Sequence, residues 1–460
     1  MRAATPQSIF AVHIRLPVIA APLRWLPLIP IMAAALFLRL VYLPVVAYYG
    51  DLEHFAIWVH TITRDGLFNF YNPIFRFATW DRTYPPLSTL LFGAVRMLYG
   101  GAPYPAMGLR EPLYVALLKL APMLCELFLI VAAYIWLNRR PVLRWVIPLL
   151  LAIYPGLIAT TAWWGQYDAA YVLFVVLALF ALNRDRPTLA WVLFAVALLF
   201  KQPAIVLSPL MLVLTFRRYG WRKTLLGIVV SGLICLAAFA PFMLISGPIP
   251  ALSPYLNASD VFPYLSNNAW NFWYSLASIN NGKPVHFEDR HYRDALMIFD
   301  LLSYKTAGLL MFGLYGLLIM ARMWRDAPKR REFVWAAALF FGFFMFPTQV
   351  HERYLYPVAI LSLLAVSQDW RMLWVALGVA LTYTYNILGV AIPYRDPKNQ
   401  FGTEMLAIPT ALLNIVLFIG TARLAWNEEA LRVAKPVAVQ STAHHLEGGA
   451  LVSPKPGQTA

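Results

Sequence analysis

Long apolar segments recur along most of this chain, and they restrict its fold more than any other feature. A helix needs about 20 mostly apolar residues to cross the hydrocarbon core of a bilayer. In this chain 60% of the 460 residues are hydrophobic and only 13% are charged, whereas soluble domains have about 25% charged residues. We predict an all-α polytopic membrane protein with roughly 12 transmembrane helices. The apolar segments lie near residues 27–47, 113–137, 145–162, 169–182, 188–201, 204–216, 224–246, 300–321, 333–348, 355–367, 372–393 and 403–425.

Basic residues between these segments predict how the chain is oriented. They form five clusters that fall on every second loop, and short loops rich in Lys and Arg stay in the cytoplasm. The net charge of +15 is therefore an orientation signal. It does not indicate a nucleic-acid surface, because the basic residues are dispersed between helices and not gathered on one face. The clusters lie at residues 139–144, 184–186, 217–223, 322–331 and 371.

One segment, residues 84–99, looks like a span but is better explained as an interfacial helix. Its apolar part, from Leu87 to Leu98, is only about 18 Å long as a helix and contains Arg96. If it crossed the bilayer, every later basic cluster would change sides relative to the basic N-terminal arm. We predict that it lies at the outer interface as an amphipathic or re-entrant helix.

This orientation divides the chain into five parts. We expect a cytoplasmic arm over residues 1–26, then a transmembrane module over 27–246 that includes a long outer loop over 48–112. A second outer loop spans 247–299, and a C-terminal transmembrane module spans 300–425. The polar tail over 426–460 has the composition of a disordered cytoplasmic extension.

With this orientation, the polar residues that are hardest to explain collect on the outer side. Each has an ordinary explanation alone: a solvated loop acid, an aromatic belt with a capping Asp, a snorkelling lysine, a turn, or a local Glu–Arg pair. Their common side is what predicts a site. They are the segments Gly50–His54, Trp163–Asp168, Lys201–Pro203, Ser266–Asn271 and Gln349–Tyr354.

The residue types in this set suit a sugar carried on a lipid phosphate. Aromatic and amide side chains bind sugars, Lys, Arg and His bind phosphate, and the apolar spans accommodate a lipid tail. No Asp-x-Asp motif occurs in the chain, so a metal clamp is not indicated. We predict neither a metal nor a cofactor, since basic side chains can stabilise a monophosphate leaving group. The two cysteines, Cys125 and Cys235, lie in apolar runs and do not indicate a disulfide framework.

These motifs, in this order, resemble the GT-C superfamily of polyprenyl-phosphate-sugar-dependent glycosyltransferases. The likeness is strongest to the dolichyl-phosphate-glucose α-1,3-glucosyltransferases of the N-glycan pathway and their prokaryotic relatives. It implies a GT-C-like bundle with extracytoplasmic interfacial helices. The chain departs from the family's common His and Asn at Trp164 and Asp168, and residues after about 368 are less similar. The matching motifs are Gly50–Glu53, Tyr84–Leu87, Tyr154–Leu157, Gly165–Asp168, Lys201–Gln202 and Gln349–Arg353.

The resemblance also suggests roles for the outer residues. The family has a catalytic Asp in its first outer loop, and Asp51 matches that position. We expect Asp51 to act as general base in an inverting transfer of a hexose, glucose or mannose, to a lipid-linked or other extracytoplasmic acceptor, with Glu53 positioning the acceptor or orienting Asp51. The partners are then the donor, the acceptor and membrane lipid, with no nucleic acid. The other assignments are Lys201, His351 and Arg353 for the donor phosphate, and Gln166, Asp168, Gln202 and Trp164 for sugar or acceptor hydroxyls.

Two other functions remain open at this stage. A transporter or flippase of lipid-linked sugars would be expected to show internal repeats and polar groups near the midplane, whereas no clear repeat is visible and the outer residues lie at helix ends. A noncatalytic subunit of an envelope-assembly complex is the third. Arg39, Lys119 and Glu126 lie inside predicted spans and should pair within the bundle or lie near the donor phosphate. The short loops suggest a prokaryotic plasma membrane protein, and the basic clusters predict an extracytoplasmic site.

Overall fold

The computed structural model describes residues 25–75, 83–258, 262–284, 293–395 and 403–427, and these are almost entirely helical. The all-α prediction is therefore confirmed. Most of the predicted N-terminal arm and C-terminal tail lie outside the described residues. The α-helices are α1 Leu28–Tyr42, α2 Tyr49–Asp65, α3 Pro86–Tyr99, α4 Pro105–Gly108, α5 Pro112–Trp136, α6 Leu143–Ile153, α7 Pro155–Ile158, α8 Asp168–Asn183, α9 Pro187–Phe200, α10 Ser208–Ser246, α11 Pro248–Leu256, α12 Phe272–Asn281, α13 Tyr304–Asp326, α14 Glu332–Met345, α15 Tyr356–Ala365, α16 Met372–Arg395 and α17 Thr403–Trp426.

Short elements connect these helices. A π-helix covers Ala159–Trp164, and one two-stranded antiparallel sheet pairs β1, Met297–Ile298, with β2, Leu302–Ser303. Among the described residues the 3-10 helices are Leu67–Asn69, Pro73–Phe75, Gln202–Leu207, Ala327–Lys329 and Glu352–Leu355.

Each of the twelve predicted apolar segments overlaps one of these helices, and the segments 204–216 and 224–246 both belong to α10. By length and composition, five described helices could cross a membrane, or up to six if the pair Leu143–Ile153 and Pro155–Trp164, bent by 46°, forms one span. Four further apolar helices have 10–17 residues. The class of an integral membrane protein is confirmed, and the number of about twelve crossings stays a prediction.

Proline and glycine break helices at positions that the averaged hydropathy pattern does not show. Pro155 begins α7 after Tyr154 has turned to an extended conformation, because proline has no N–H to continue the preceding helix. Gly220 interrupts α10 with φ 80° and ψ 173°. This break separates the two predicted segments 204–216 and 224–246.

Helix α3 corresponds to the segment that was predicted not to cross. Its 14 residues make a helix about 21 Å long, and it is not among the described helices that could span a membrane. One face is buried, with Ser88, Thr89 and Phe92, while Met97 and Leu98 are exposed. The amphipathic character agrees with the prediction, and its outer location stays a prediction.

An aromatic cluster fixes α2 and α3 against the bundle. Phe55 and Trp58 of α2 meet Tyr84, Phe92 and Tyr167, with ring centroids 5.1 to 6.4 Å apart. All five side chains are buried, and such rings contribute large apolar areas. The first turn of α2 is thereby held beside the start of α8.

Ion pairs gather four of the basic clusters at one end of the bundle. Arg218 pairs with Glu332 at the start of α14, Arg330 with Asp185 at 2.6 Å, and Arg331 with Asp369 at 2.9 Å. Arg371 also binds Asp369. Four of the five loops that were predicted to share the cytoplasmic side therefore share one end of the molecule.

The charged residues inside the predicted spans have partners. Arg39 pairs with Glu126 at 2.8 Å, and both are buried, as one of the two predicted alternatives has it. Glu126 also accepts from the hydroxyls of Thr161 and Tyr356. Lys119 donates to backbone carbonyls, which the sequence did not suggest.

Candidate active site

The two oxygens of the Asp51 carboxylate differ in their surroundings. Asp51 lies in the first turn of α2, where a negative charge is favoured by the helix dipole. Its Oδ2 accepts hydrogen bonds from Trp164 Nε1 at 2.8 Å and from Gln166 Nε2. Within the described chain Oδ1 accepts none, and the side chain is 24% exposed. Only one of the two oxygens is therefore fixed by hydrogen bonds from the described residues.

The π-helix delivers both donors to Asp51. It ends at Gly165, whose φ of 90° requires a left-handed conformation that glycine adopts without strain. The N–H groups of Gly165 and Gln166 both bond to the carbonyl of Thr160, at 3.1 and 2.9 Å. The Gln166 amide is oriented from its other side too, because Tyr84 Oη donates to its Oε1 at 3.3 Å.

Lys201 and Asp168 form a buried ion pair next to this turn. Lys201 Nζ lies 2.9 and 2.8 Å from the two Asp168 oxygens, and both side chains are at most 3% exposed. Lys201 Nζ also lies 5.6 and 5.5 Å from the ring centroids of Tyr84 and Tyr354, within the range of cation–π attraction. Asp168 is therefore occupied by Lys201, although we predicted it for sugar or acceptor hydroxyls.

The segment before α15 brings a second cation to Asp51. Arg353 Nη1 lies 2.9 Å from Glu352 Oε1, 3.3 Å from His351 Nδ1 and 3.9 Å from Asp51 Oδ2. Its Nε is buried and, within the described residues, has no hydrogen-bond acceptor. The backbone N–H of Asn267 holds this segment through the carbonyl of Val350, at 2.9 Å.

The pKa values of His351 and Glu352, both in the segment before α15, are shifted from those of exposed side chains. Burial, with the Arg353 and Lys201 cations nearby, holds the pKa of His351 well below its usual range, so the imidazole is neutral at pH 7. Burial raises the pKa of Glu352, and Arg353 opposes that shift. His351 therefore offers hydrogen bonds to a phosphate, but no positive charge.

A cavity of about 270 Å³ lies beside these groups. Its polar wall carries three cationic residues, Lys201, Lys305 and Arg353, and its aromatic wall includes Tyr84 and Tyr354. This combination can hold a phosphate and a sugar ring. The complete lining is Thr83, Tyr84, Lys201, Gln202, Pro203, Ile205, Ala258, Phe262, Lys305, Leu309, Phe343, Pro347, Thr348, Gln349, Val350, His351, Arg353 and Tyr354.

The predicted site residues separate into three groups. Lys201, Gln202, His351 and Arg353 line the cavity. The second group does not line the cavity but is connected to lining residues, directly or through Asp51, by the contacts above: Asp51, Trp164, Gln166 and Asp168. Glu53 alone is the third group. Two positions along a helix turn the side chain by about 200°, and Glu53 instead accepts from Tyr49 Oη at 3.3 Å on the other side of α2.

Tyr84 and Tyr354 were not among the predicted site residues. Both line the cavity and flank Lys201. The available signal was their position, since each lies in or next to a motif already chosen for other residues. Gln202 contributes differently from expected, because its amide donates to the carbonyls of Thr83 and, at 2.8 Å, Pro254.

Comparison with known proteins identifies the family. No curated protein matches the chain. The ALG6, ALG8 glycosyltransferase family matches residues 106–388, more than half of the sequence. The match includes the turn at Gln166, the Lys201 pair and the Arg353 segment, begins after Asp51, and extends beyond residue 368.

This match confirms the resemblance and the enzyme prediction. The family's enzymes use dolichyl-phosphate glucose in the membrane and act on a lipid-linked glycan, which agrees with a cavity bearing both cations and aromatic rings. The chain belongs to the ALG6, ALG8 glycosyltransferase family and is a membrane glycosyltransferase with a polyprenyl-phosphate sugar as its donor.

Proposed function

We propose that this enzyme transfers a hexose from a polyprenyl phosphate to a hydroxyl of a lipid-linked glycan, with inversion at the anomeric carbon and with Asp51 as general base. The family favours glucose over mannose as the sugar. The observation that carries the proposal is the position of Arg353. It lines the cavity and lies 3.9 Å from Asp51. Arg353 would therefore contact both a phosphate bound in the cavity and the base just outside it.

Asp51 has the accessibility that a base requires. Its Oδ1 accepts no hydrogen bond from the described residues, and its side chain is partly exposed. Trp164 and Gln166 fix Oδ2 and thereby the direction of Oδ1. A positioned base of this kind contributes roughly 10²–10⁴-fold to the rate.

The cavity suits the leaving phosphate. Charge accumulates on the phosphate oxygen as the bond to the sugar breaks, and fixed cations at that point stabilise the transition state. Arg353 and Lys201 supply the charge, and neutral His351 supplies a hydrogen bond. Ile205 and Leu309, both lining residues with exposed side chains, offer apolar contact to the lipid.

The reaction is a single displacement. The acceptor hydroxyl oxygen forms a bond to the anomeric carbon while the carbon–oxygen bond to phosphate breaks, and the electron pair of that bond stays on the phosphate. The hydroxyl proton passes to Asp51 Oδ1 and then to solvent. Attack opposite the leaving group inverts the anomeric configuration.

The location of the reaction follows from the charge pattern. Four basic clusters share one end of the bundle with Glu332, whereas His351 follows the other end of α14. Since Lys- and Arg-rich loops stay in the cytoplasm, we assign the site to the extracytoplasmic face. The short loops favour a prokaryotic plasma membrane.

Replacement of Asp51 by Asn tests the proposal. Asn preserves the shape of the side chain and removes the base, so the rate should fall about 10²–10⁴-fold. The measurement is transfer of labelled sugar from glucosyl and mannosyl polyprenyl phosphate to lipid-linked glycans extracted from native membranes, with purified protein.

Asp65→Asn is the matched control. Asp65 ends the same helix and pairs with exposed Arg64, about 21 Å from Asp51 along the axis, so that variant should retain its rate. The assignment of Asp51 is wrong if folded Asp51→Asn protein transfers sugar at the wild-type rate. Retention of the donor's anomeric configuration in the product would contradict the inverting mechanism.

A further inference from the structure

Lys119 joins two chain segments at a single point inside the bundle. It lies in α5 and is fully buried. Its Nζ contacts the carbonyls of Ala162 at 3.1 Å and Trp163 at 2.7 Å. It also contacts the carbonyls of Tyr42, at 3.4 Å, and Val45. One ammonium group thus binds the end of α1 and the end of the π-helix together.

Both of these segments lead directly into the site. Val45 precedes Asp51 by six residues, and Trp163 is followed by Trp164 and then Gln166. The carbonyl ends of helices carry partial negative charge, which attracts a cation. A buried ammonium group also requires hydrogen-bond acceptors, so these contacts favour one fixed separation of the two segments.

The lysine stem restricts the same turn. A Cβ atom on Gly165 would lie 2.9 Å from Lys119 Cγ and 3.1 Å from Leu52 Cδ2, both closer than normal contact. The turn that carries Gln166 therefore lies directly on the Lys119 side chain and on the residue that follows Asp51.

We propose that Lys119 is a positioning residue that sets the distance between Asp51 and its two hydrogen-bond donors, Trp164 and Gln166. It does not line the cavity, so it acts through Asp51 and not on the donor phosphate. This inference rests on the proposed role of Asp51 as general base.

Lys119→Met tests the proposal, because Met keeps the stem and removes the ammonium group. Loss of the contacts between the ammonium group and the four carbonyls should lower kcat about 10- to 100-fold. A misplacement of about 1 Å can cost about 10²-fold in rate. The KM for glucosyl polyprenyl phosphate should stay within about twofold, because uniform substrate binding is not affected. Unchanged kcat in folded protein would overturn the proposal.

Arg331→Met is the matched control for removing a buried cation. Arg331 binds the Asp369 carboxylate and the Leu424 carbonyl at the opposite end of α14, about 21 Å from the site along that helix. It should lower thermal stability and leave kcat unchanged. A similar loss of kcat in both variants would indicate a general structural effect and contradict a specific role for Lys119.

A double-mutant comparison distinguishes this inference from the proposed function. If Lys119 acts through Asp51, Lys119→Met should have no further effect on kcat in the Asp51→Asn background, because coupled residues are not additive. Additive losses would overturn the positioning role and leave the base intact. A wild-type rate in Asp51→Asn alone would instead refute the base, and this inference with it.

Gly165→Ala is a second test of the positioning role of Lys119, for use if Lys119→Met does not fold. The added methyl group pushes the turn away from the Lys119 stem without removing a charge. It should lower kcat with little change in KM, and again have no further effect in the Asp51→Asn background. Normal kcat in folded Gly165→Ala protein would contradict the proposal.

Discussion

At the residue scale, the two oxygens of the Asp51 carboxylate differ in their hydrogen bonds. Trp164 and Gln166 bind one oxygen, and the other, which accepts no hydrogen bond from the described residues, is the one we propose as the base. Hydrogen bonds to a carboxylate are stronger than neutral ones, so they hold the side chain in one orientation. Trp164 and Gln166 therefore orient Asp51 in the structure, and their predicted contacts with sugar or acceptor hydroxyls stay a prediction.

Trp164→Phe should lower kcat about tenfold or more, because a hydrogen bond to a charged group is worth about 1.5–3 kcal/mol. Trp163→Phe is its control. The neighbouring Trp163 has a buried Nε1 that finds no acceptor among the described residues, and its backbone carbonyl is unchanged by the substitution. Steady-state rates of the two purified variants decide the matter, since equal losses would mean that the Trp164 hydrogen bond has no specific role.

At the element scale, close approach of helices depends on single glycines. A Cβ on Gly227 of α10 would lie 2.2 Å from Trp191 of α9, whereas a Cβ on Gly232 of the same helix would meet no atom within 4 Å. Trp191 is buried and donates to Thr215 at 3.2 Å. It cannot move easily, so the packing of α9 against α10 depends on the absence of a side chain at residue 227.

Gly227→Ala should therefore lower the melting temperature of the detergent-solubilised enzyme, whereas Gly232→Ala should leave it unchanged or raise it. Overpacking a core costs typically about 1–3 kcal/mol, and Ala is favoured over Gly by about 1 kcal/mol in a helix interior. Thermal unfolding of the two variants, with wild type, gives the comparison. Equal melting temperatures would show that α9 and α10 can separate at little cost.

At the scale of the whole molecule, four of the basic clusters and the candidate site lie at opposite ends of the bundle. Ion pairs connect Asp185, Arg218, Glu332 and Asp369 to partners at one end, while Asp51 and the cavity lie with the loops at the other. Helix α5, with 25 residues and thus about 37 Å long, joins the two ends. The orientation of the enzyme can therefore be tested on either side of this helix.

Single cysteines should report that orientation in a background without Cys125 and Cys235. Met107→Cys, at the exposed residue of α4 before α5, should react with a membrane-impermeant maleimide in intact cells. Asn138→Cys, exposed just after α5, should react only after permeabilisation. Labelling of both from outside would refute the crossing of α5, and the reverse pattern would move the active site to the cytoplasmic side.

The sequence by itself determined most of the helices. Each predicted apolar segment overlaps a helix, and Asp51 comes directly after the first of these segments, while its role as base was implied by the family resemblance. These features follow from hydropathy and from local residue order, which are properties of neighbouring residues. The breaks at Tyr154 and Gly220 were less visible, because a hydropathy window averages over a single proline or glycine.

Only the tertiary structure decided which side chains meet. Asp51 and Trp164 are 113 residues apart, Tyr84 and Gln166 are 82 apart, and the carbonyls that bind Lys119 come from two distant helices. Such pairs arise from the packing of helices whose apolar surfaces are nearly interchangeable, so no pattern along the chain specifies them. For this reason the sequence predicted Asp51 and Arg353 as functional residues, while the structure alone revealed that Lys201 is held by Asp168 and that Glu53 lies away from Asp51.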